Sequence, residues 1–491
     1  MLNTGFAFHE QAYDSISPIY EAACAEHHIH ILEVLSAVSS RIPPGSKVLD
    51  VGNGTGRPVA KHFIDHGHCV TGIDLSQGMV DLARKQVPTA TFIKAEMTSY
   101  EPPRELWGTY DLVFASHSLY NISVAQLRTM FFKFARWVKK DTGLIVVGSS
   151  YRPDGAPERG VIFDHRGWSE GVTENFLGHK FDDMVLGYED AWVNLMKETG
   201  VEVLEVMKKI CTLEWEDRDQ HENQFYLIAK KGELEPLLGP YPVPAKSKVL
   251  QLAGDNLDAW LEVSGRISER QNIVNVSGIL KENGSKKVLL VAPGIKEPLD
   301  GTFEVHRFPI DLGPPSTEKT NPISAGEFDS VVVLWSLQLK HFSDLKVSLK
   351  KLLDFLSLNG NTIVIIVQAS PDNELLNLLN DTRYNLTSQL DLENHGLLLQ
   401  EARNILKASG FKDISFTPTQ STLSFSDIEG RKRVEYTAEL LSKMWCGGIG
   451  IENEVKANLL KSLAVQFLFR PEGNILNQGV IMVAKGPGRE T

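Results

Sequence analysis

The sequence predicts an α/β fold in which a mostly parallel sheet is covered by helices on both faces, and it predicts this fold twice in tandem. Apolar runs of strand length alternate with amphipathic helical patterns, an arrangement typical of right-handed βαβ units. A turn with glycine at every second position follows the first apolar run. The same order of runs returns in the second half of the chain.

The first half contains the clearest alternation. Its predicted strands cover residues 48–51, 70–73, 91–93, 110–114 and 144–147. The helix before the last strand begins at Ser123, a good capping residue, and we expect it to end by Gly143. A helix over 191–199 then leads into an antiparallel hairpin at the sheet edge, and we expect the insertion over 151–180 to be mostly loop.

The second half repeats these runs with one difference. Residues 286–291, 328–333 and 362–367 correspond to the first, fourth and fifth strands. The glycine turn is replaced by Ala292-Pro293-Gly294-Ile295, and no acidic residue follows the second apolar run. Prolines between residues 236 and 244 interrupt regular structure. The predicted divisions are therefore 1–232, a linker with packing elements over 233–285, including a helix over 249–261, and 286–491.

Length and charge limit the possible partners. A chain of 491 residues is long enough for two or three domains of about 100–200 residues each. The formal net charge of −12 and a single compact basic run, 431–433, argue against a nucleic-acid partner. No apolar run approaches the roughly 20 residues of a membrane span, and no secretory signal precedes residue 10. We expect a cytoplasmic protein with no membrane partner.

Cysteine and histidine spacing argues against a metal centre. The four cysteines, at positions 24, 69, 211 and 446, lie far apart, which favours reduced thiols over a disulfide framework or a zinc site. His27, His28 and His30 would point apart on a helix and have no partner at ligand spacing. We therefore expect no bound metal.

The glycine turn is the most informative motif. Residues 48–56 read Val-Leu-Asp-Val-Gly-Asn-Gly-Thr-Gly, so a strand runs directly into a turn where the backbone can approach a ligand closely. The helix start behind such a turn can offer free N–H groups to an anion. Dinucleotides and S-adenosylmethionine both use such turns, but the dinucleotide fingerprint needs its third glycine where Arg57 stands.

Gly52, Gly54 and Gly56, with Asp50 two residues ahead, resemble the first motif of class I S-adenosylmethionine-dependent methyltransferases of the small-molecule type. The resemblance covers about residues 10–232. It implies a Rossmann-like seven-stranded methyltransferase fold with S-adenosyl-L-methionine as cofactor, and the second half is then interpreted as a degenerate methyltransferase-like domain.

The resemblance also implies a cofactor site at the ends of the first four strands. Asp74 would accept hydrogen bonds from both ribose hydroxyls, Glu96 and Met97 would contact the adenine, and Asp50 would face the amino group of the methionine moiety. The implied cofactor contacts are Asp50, Gly52, Asn53, Gly54, Gly56, Asp74, Leu75, Glu96, Met97 and Ser116.

Acceptor contacts are predicted on three segments. His117, after the fourth strand, would shape the pocket or accept a proton, with a purely structural role as the alternative. Tyr13 and Tyr20 would line the substrate pocket or belong to the core. His165 and Arg166 would clamp an anionic acceptor beside Trp168, or the three residues would form a surface loop with an anchored tryptophan.

These residues favour methyl transfer to a small molecule of secondary metabolism, with an oxygen of a carboxylate or hydroxyl as acceptor. The run 115–121 lacks the Asn/Asp-Pro-Pro-Tyr/Phe motif of nucleobase-amine methyltransferases. A non-catalytic regulatory protein that binds S-adenosylmethionine is the alternative, and a dinucleotide oxidoreductase is a third hypothesis. We also expect a homodimer in which the second half serves packing, self-association or closure.

Overall fold

A computed structural model describes residues 6–150, 161–164, 166–215, 218–232, 234–235, 239–240, 257–308, 324–339, 342–357, 361–387, 395–447 and 450–486. The chain divides into two units. The amino-terminal unit comprises Met1–Pro236, Pro240–Pro242 and Ala464–Pro471. The carboxyl-terminal unit comprises Leu237–Gly239, Val243–Leu463 and Glu472–Thr491. None of the described helices combines the length and the apolar character needed to cross a bilayer.

The first part of the chain alternates strands and helices as expected. Its elements are α1 (Phe6–Ala23), α2 (Ala25–Ser39), β1 (Lys47–Val51), α3 (Val59–Asp65), β2 (Cys69–Asp74), α4 (Gln77–Gln86), β3 (Thr91–Lys94), β4 (Leu112–Ser116), α5 (Val124–Trp137), β5 (Leu144–Ser150), β6 (Trp168–Phe176), β7 (His179–Gly187), α6 (Glu189–Glu198), β8 (Val201–Trp215) and β9 (Arg218–Lys231).

Seven of these strands form one sheet in the order β3-β2-β1-β4-β5-β9-β8. Strands β1 to β5 are parallel, and β9 pairs antiparallel with both β5 and β8. This confirms the predicted Rossmann-like sheet. Because Val51 pairs with Ile73 and Asp50 with Phe114, the carboxyl ends of β1, β2 and β4 lie side by side at one edge.

Each face of the sheet packs against helices, because β1 directs alternate side chains to opposite sides. Leu49 and Val51 join a cluster that includes Leu127 and Phe131 of α5, whereas Val48 joins the cluster on the other face. Helix α5 is buried along its whole length. Its charged side chains are buried with partners, as where Arg128 Nη1 lies 2.6 Å from Glu198 Oε2 and Lys133 Nζ donates to the Thr98 carbonyl at 2.7 Å.

Helix α5 begins where predicted and ends earlier than predicted. The Ser123 hydroxyl accepts the Gln126 N–H at 3.2 Å, and the Gln126 side chain accepts the Ser123 N–H at 3.0 Å, which forms a complete capping box. The helix ends at Trp137 rather than near Gly143, because Val138 forms a β-bridge with Tyr110.

The insertion after β5 is not mostly loop. Residues 151–160 lie outside the described part of the chain, but β6 and β7 form an antiparallel hairpin. The pattern of β6 is interrupted by Gly171 and by irregular pairing between Glu170 and Val172 and between Val172 and Glu174. Such bulges break the alternation on which strand prediction depends.

Two short strands follow, and the second part of the chain then continues. Its elements are β10 (Leu234–Glu235), β11 (Gly239–Pro240), α7 (Leu257–Gly265), β12 (Ile267–Ser268), α8 (Arg270–Glu282), β13 (Lys287–Val291), β14 (Glu304–Arg307), β15 (Ser330–Leu334), α9 (Leu345–Leu353), β16 (Ile363–Ala369), α10 (Glu374–Thr387), α11 (Gly396–Ala408), β17 (Lys412–Ser424), α12 (Gly430–Cys446), α13 (Glu452–Phe469) and β18 (Asn474–Lys485).

The carboxyl-terminal unit has a second seven-stranded sheet, in the order β12-β17-β18-β16-β15-β13-β14. Counted from β14, six of its strands have the same connection order as β2-β1-β4-β5-β9-β8. A local contact is also shared, because Asp111 accepts the Lys47 N–H at 2.9 Å and Asp329 accepts the Lys287 N–H at 3.0 Å. The interpretation of this unit as a degenerate methyltransferase-like domain stays a prediction. The predicted helix over 249–261 is described only from Leu257.

The Ser123→Ala variant tests the capping box. Loss of the hydroxyl leaves a buried N–H at the start of α5 without its acceptor, so we expect the free energy of unfolding to fall by about 1–2 kcal/mol. Urea unfolding of the full chain measures this change. Ser40→Ala, which removes an exposed hydroxyl at the end of α2, is the control and should change stability by less than about 0.5 kcal/mol. Equal effects of the two variants would contradict the role of the cap.

Candidate cofactor and acceptor site

A cleft opens in the amino-terminal unit where β1, β2, β3 and β4 end. It contains about 730 Å³ of empty space, which includes space open to solvent at its mouth. Ten of the predicted site residues line it, namely Tyr13, Tyr20, Gly52, Gly54, Asp74, Leu75, Glu96, Met97, Ser116 and His117.

The turn after β1 passes very close to the turn after β4. Gly52 has a φ of +75°, and a Cβ built there would lie 2.3 Å from the Cβ of Ser118. The Ser118 hydroxyl donates to the Val51 carbonyl at 2.8 Å and fixes the two turns together. Only glycine fits position 52, because both the backbone angle and the available space exclude a side chain.

Several N–H groups of the glycine turn itself are already engaged in hydrogen bonds. Gly52 and Asn53 donate to the Ile73 carbonyl at 2.8 and 3.0 Å, and Gly54 donates to Asp74 Oδ2 at 2.8 Å. Asn53 also donates through its side chain to the Gly54 carbonyl at 2.6 Å. The turn is thus held by β2 and by the acidic residue that ends it.

Asp74 combines a structural role with a place in the cleft. Its Oδ1 accepts the Ser76 N–H at 2.9 Å, and its Oδ2 accepts the Gly54 N–H. Burial raises the pKa of Asp74 to about 6, although the hydrogen bonds from Ser76 and Gly54 favour the charged form. Each carboxylate oxygen can accept a second hydrogen bond, so Asp74 can still receive hydroxyl donors.

Asp50 lies behind the cleft surface rather than on it. Its side chain is 2 % exposed, and Oδ2 has no hydrogen-bond partner within the described part of the chain. Burial, with a smaller contribution from the charge of Asp74, raises the pKa of Asp50 to about 8. A nearby ammonium would lower this pKa by stabilising the carboxylate.

Glu96 and Met97 line the cleft beside β3. The Glu96 carboxylate caps its own turn, since Oε1 accepts the Thr98 N–H at 2.6 Å and Oε2 accepts the Ser99 N–H at 2.9 Å. Arg470 belongs to the same unit and places Nη2 3.7 Å from Glu96 Oε2. The Glu96 charge is therefore compensated before any ligand binds.

The other side of the cleft is aromatic and polar. The Tyr13 hydroxyl accepts a hydrogen bond from Asn121 Nδ2 at 3.4 Å, and burial raises the pKa of Tyr13 to about 12. His117 Nε2 lies 3.3 Å from the Tyr226 hydroxyl. Asn121 was not predicted as a site residue, although it follows the fourth strand as His117 does.

His117 has an unusual backbone. Its φ is +53°, which is uncommon for a residue other than glycine. Its N–H donates to the Gly148 carbonyl at 2.8 Å, one step beyond the last paired residue of β4. The side chain is thereby turned out of the strand direction and reaches the cleft.

The structure does not bring the predicted clamp into the cleft. His165 lies outside the described residues. Arg166 Nε pairs with Asp164 Oδ2 at 3.2 Å, and Trp168 is 3 % exposed in the hydrophobic core, with its ring centroid 5.1 Å from that of Trp192. Neither Arg166 nor Trp168 is a cleft-lining residue.

Helix α1 packs against the insertion that follows β5. The β6–β7 hairpin contacts α1, with Phe181 5.8 Å from Tyr13 and Phe176 6.1 Å from Tyr20 between ring centroids. The cleft is lined directly by Phe6 and His9 of α1, which the sequence analysis did not select. Asn53, Gly56 and Asp50 support the turn without lining the cleft.

Among the described residues, no group of three or more His, Cys, Asp or Glu side chains could hold a metal ion. The cleft residues instead supply hydrogen-bond acceptors at two strand ends and apolar contacts between them. This combination suits a nucleoside with hydroxyl groups.

Comparison with known proteins identifies the first part of the chain. Residues 48–141 match the family model described as "Methyltransferase domain". A curated relative is dTDP-3-amino-3,4,6-trideoxy-alpha-D-glucopyranose N,N-dimethyltransferase from Streptomyces venezuelae, which is 34% identical over 73 residues. That match covers 15% of this chain and about 30% of the length of the relative.

Solved structures of methyltransferases are also similar. An S-adenosylmethionine-dependent methyltransferase from Listeria monocytogenes is 18% identical with a TM-score of 0.32, and the match covers 43% of this chain and 100% of that one. Magnesium protoporphyrin IX methyltransferase from Synechocystis PCC 6803 is 14% identical with a TM-score of 0.29, over 42% of this chain and 80% of that one.

The family match begins at the strand that leads into the glycine turn and ends between α5 and β5. It thus includes the turn, Asp74, Glu96 and His117, which the sheet order brings to one edge. Residues 48–141 thus match a methyltransferase domain and belong to a sheet of the Rossmann-like methyltransferase fold, whose cofactor is S-adenosylmethionine.

Proposed function

We propose that this protein methylates a hydroxyl oxygen of a small, largely apolar molecule. The observation that carries the proposal is the cleft, in which a nucleoside site and a pocket with a proton-accepting imidazole are continuous. When bound, S-adenosylmethionine supplies an electrophilic methyl group. A new bond forms between the acceptor oxygen and the methyl carbon while the carbon–sulfur bond breaks, with its electron pair passing to sulfur.

The strand-end residues are suited to hold the nucleoside. Asp74 would accept hydrogen bonds from the ribose hydroxyls through its remaining lone pairs, and Met97 would contact the adenine ring. Asp50 would lose its proton and stabilise the ammonium of the methionine moiety from beneath the turn. The dinucleotide alternative has less support, because Arg57 occupies the position of the third glycine.

The chemistry of the remaining lining favours a hydroxyl over a carboxylate. No Lys or Arg is among the described residues that line the cleft, so a carboxylate would enter without a paired cation. A hydroxyl can instead hydrogen-bond to Tyr13, Asn121 or His117. The Arg166 clamp that favoured an anionic acceptor is paired with Asp164.

His117 would accept the proton of the hydroxyl. A neutral imidazole can take this proton as the new bond forms, and the Tyr226 hydroxyl at 3.3 Å can orient the ring. An amine is the second candidate acceptor, because the curated relative is named as an N,N-dimethyltransferase. We also propose that the protein is cytoplasmic and acts as a homodimer, and analytical ultracentrifugation tests the latter.

The direct test incubates the full chain with S-adenosylmethionine carrying a radiolabelled methyl group. The acceptors are phenols, aryl carboxylic acids and aryl amines with matched ring systems. We expect label in the phenol products. Label only in esters or amines would overturn the choice of acceptor, and tight S-adenosylhomocysteine binding without any product would favour the regulatory alternative.

The His117→Asn variant tests the proton acceptor. Asparagine tolerates the left-handed backbone but cannot take the proton, so we expect kcat for a hydroxyl acceptor to fall by about 100-fold or more. The dissociation constant of S-adenosylhomocysteine should stay within about threefold, which is less than 1 kcal/mol. The control Tyr226→Phe keeps the imidazole and should lower kcat much less. An unchanged kcat in His117→Asn would exclude this role.

The pH dependence of S-adenosylhomocysteine binding tests Asp74. Hydroxyl donors stabilise the charged carboxylate, so the complex has a lower Asp74 pKa than the free protein, where that pKa is about 6. Binding then releases a proton below about pH 6, and affinity should fall by up to about tenfold per pH unit as the pH decreases further.

Isothermal titration calorimetry at a series of pH values measures this dependence. Asp74→Asn should bind more weakly at neutral pH and lose the step near pH 6. Asp81→Asn, which changes an exposed carboxylate on α4, should behave as the wild type does. A wild-type affinity that stays constant through this range would place Asp74 away from the ribose.

A further inference from the structure

The carboxyl-terminal unit contains a cavity of its own, beside the ends of β15 and β16. It contains about 780 Å³ of empty space, which includes space open to solvent. Its walls are largely apolar, with Trp260 from α7, Leu376 and Leu379 from α10, and Met444 and Trp445 from α12. The residues that line the cavity belong to elements far apart in the sequence.

This cavity lacks the features of the nucleoside site. In the pairing registers, Leu290 takes the position that Asp50 has in the first sheet, since Leu290 pairs with Val332 as Asp50 pairs with Phe114. Arg307, at the end of β14, donates to the Ile295 carbonyl at 2.8 Å. The turn after β13 is thus held by the guanidinium of Arg307, whereas the turn after β1 is held by the carboxylate of Asp74. We therefore expect this cavity to bind a ligand of a different class.

Glu269 is the principal polar group of the cavity. It is 1 % exposed, and its Oε2 accepts hydrogen bonds from Asn272 Nδ2 at 2.7 Å and Trp335 Nε1 at 3.0 Å. Its Oε1 is buried with no hydrogen-bond partner among the described residues. Burial raises the pKa of Glu269, while the two hydrogen bonds oppose this shift.

The side chains that donate to Glu269, those of Asn272 and Trp335, are neutral, and so is the Ser421 hydroxyl, which also favours the charged form. Within the described part of the chain, no Lys or Arg forms an ion pair with it. A buried carboxylate without a counter-charge is costly, and its unused oxygen can only accept. The missing partner is therefore a donor, and a positively charged donor compensates the carboxylate most fully.

Gln368 and His395 are also polar residues of the cavity wall, and hydrogen bonds fix the orientation of their side chains. Gln368 Nε2 donates to Gln338 Oε1 at 2.7 Å and to His395 Nδ1 at 2.9 Å. This arrangement makes Nδ1 an acceptor and assigns the proton of the neutral ring to Nε2. Burial lowers the pKa of His395 to about 4, which keeps the ring neutral. His395 therefore adds no positive charge near Glu269.

We propose that this cavity binds a small aryl or alkyl amine, whose ammonium group donates to Glu269 Oε1 while its apolar body packs against Trp260, Leu376 and Trp445. The site is separate from the cofactor cleft and does not depend on the proposed methylation. It assigns a ligand-binding role to the unit that the sequence analysis interpreted as having lost its site.

Three probes with one apolar body test the charge preference. Phenethylamine, 2-phenylethanol and phenylacetate present a cation, a neutral donor and an anion, respectively. Ligand-observed NMR measures their binding to the full chain saturated with S-adenosylhomocysteine. We expect phenethylamine to bind most tightly and phenylacetate least tightly. Absence of saturable binding for all three probes, or a preference for phenylacetate, would overturn the proposal.

Two variants locate the binding. Glu269→Gln keeps an acceptor for Asn272 and Trp335 but removes the charge, so phenethylamine affinity should fall by about tenfold. Leu376→Trp places a larger ring in the cavity and should abolish binding of all three probes. In both variants the affinity for S-adenosylhomocysteine should be that of the wild type. Circular dichroism and thermal unfolding of the full chain show whether the carboxyl-terminal unit is folded in each variant.

Glu282→Gln is the matched control, because Glu282 is exposed at the end of α8. It should leave phenethylamine binding unchanged. Equal phenethylamine affinities in wild type, Glu269→Gln and Glu282→Gln would show that the amine does not use this carboxylate. The S-adenosylhomocysteine measurement separates that outcome from a failure of the cofactor site, since each ligand is measured on the same samples.

Discussion

The site in the amino-terminal unit depends on one close approach between two turns. Because Gly52 lies directly against Ser118, the ends of β1 and β4 are adjacent, and the residues that follow β4 line the same cleft as those that follow β1 and β2. A side chain at position 52 would separate these strands. The parallel pairing of β1 to β5 forms the other parts of the cleft, because it brings residues from distant parts of the sequence to one edge of the sheet.

Much of this arrangement was predictable from sequence. The strand order follows from alternating apolar runs, and Gly52, Asp74, Glu96 and His117 all stand at strand ends, which a parallel sheet gathers at one edge. The start of α5 was predictable because Ser123 is a local signal. In each case the information lies within a few residues or in a regular period.

Other contacts had no local signal. Asp14 in α1 accepts the Gly78 N–H at 2.8 Å, and Arg470 approaches Glu96 from more than 370 positions further along the chain. The predicted clamp does not reach the cleft for a different, local reason. Asp164 lies two residues before Arg166 and pairs with it. Trp168 is buried in the hydrophobic core and therefore does not line the cleft.

The left-handed residue after β4 has a counterpart after β15. Trp335 has a φ of +50°, and its N–H donates to the Val367 carbonyl at 2.8 Å, just as His117 donates to Gly148. The imidazole of His117 and the indole of Trp335 thus follow corresponding strands in the two sheets. The left-handed backbone conformation occurs with both rings, so it does not depend on the type of side chain. The residue at each of these two positions can therefore differ in chemistry while the end of the strand keeps the same backbone geometry.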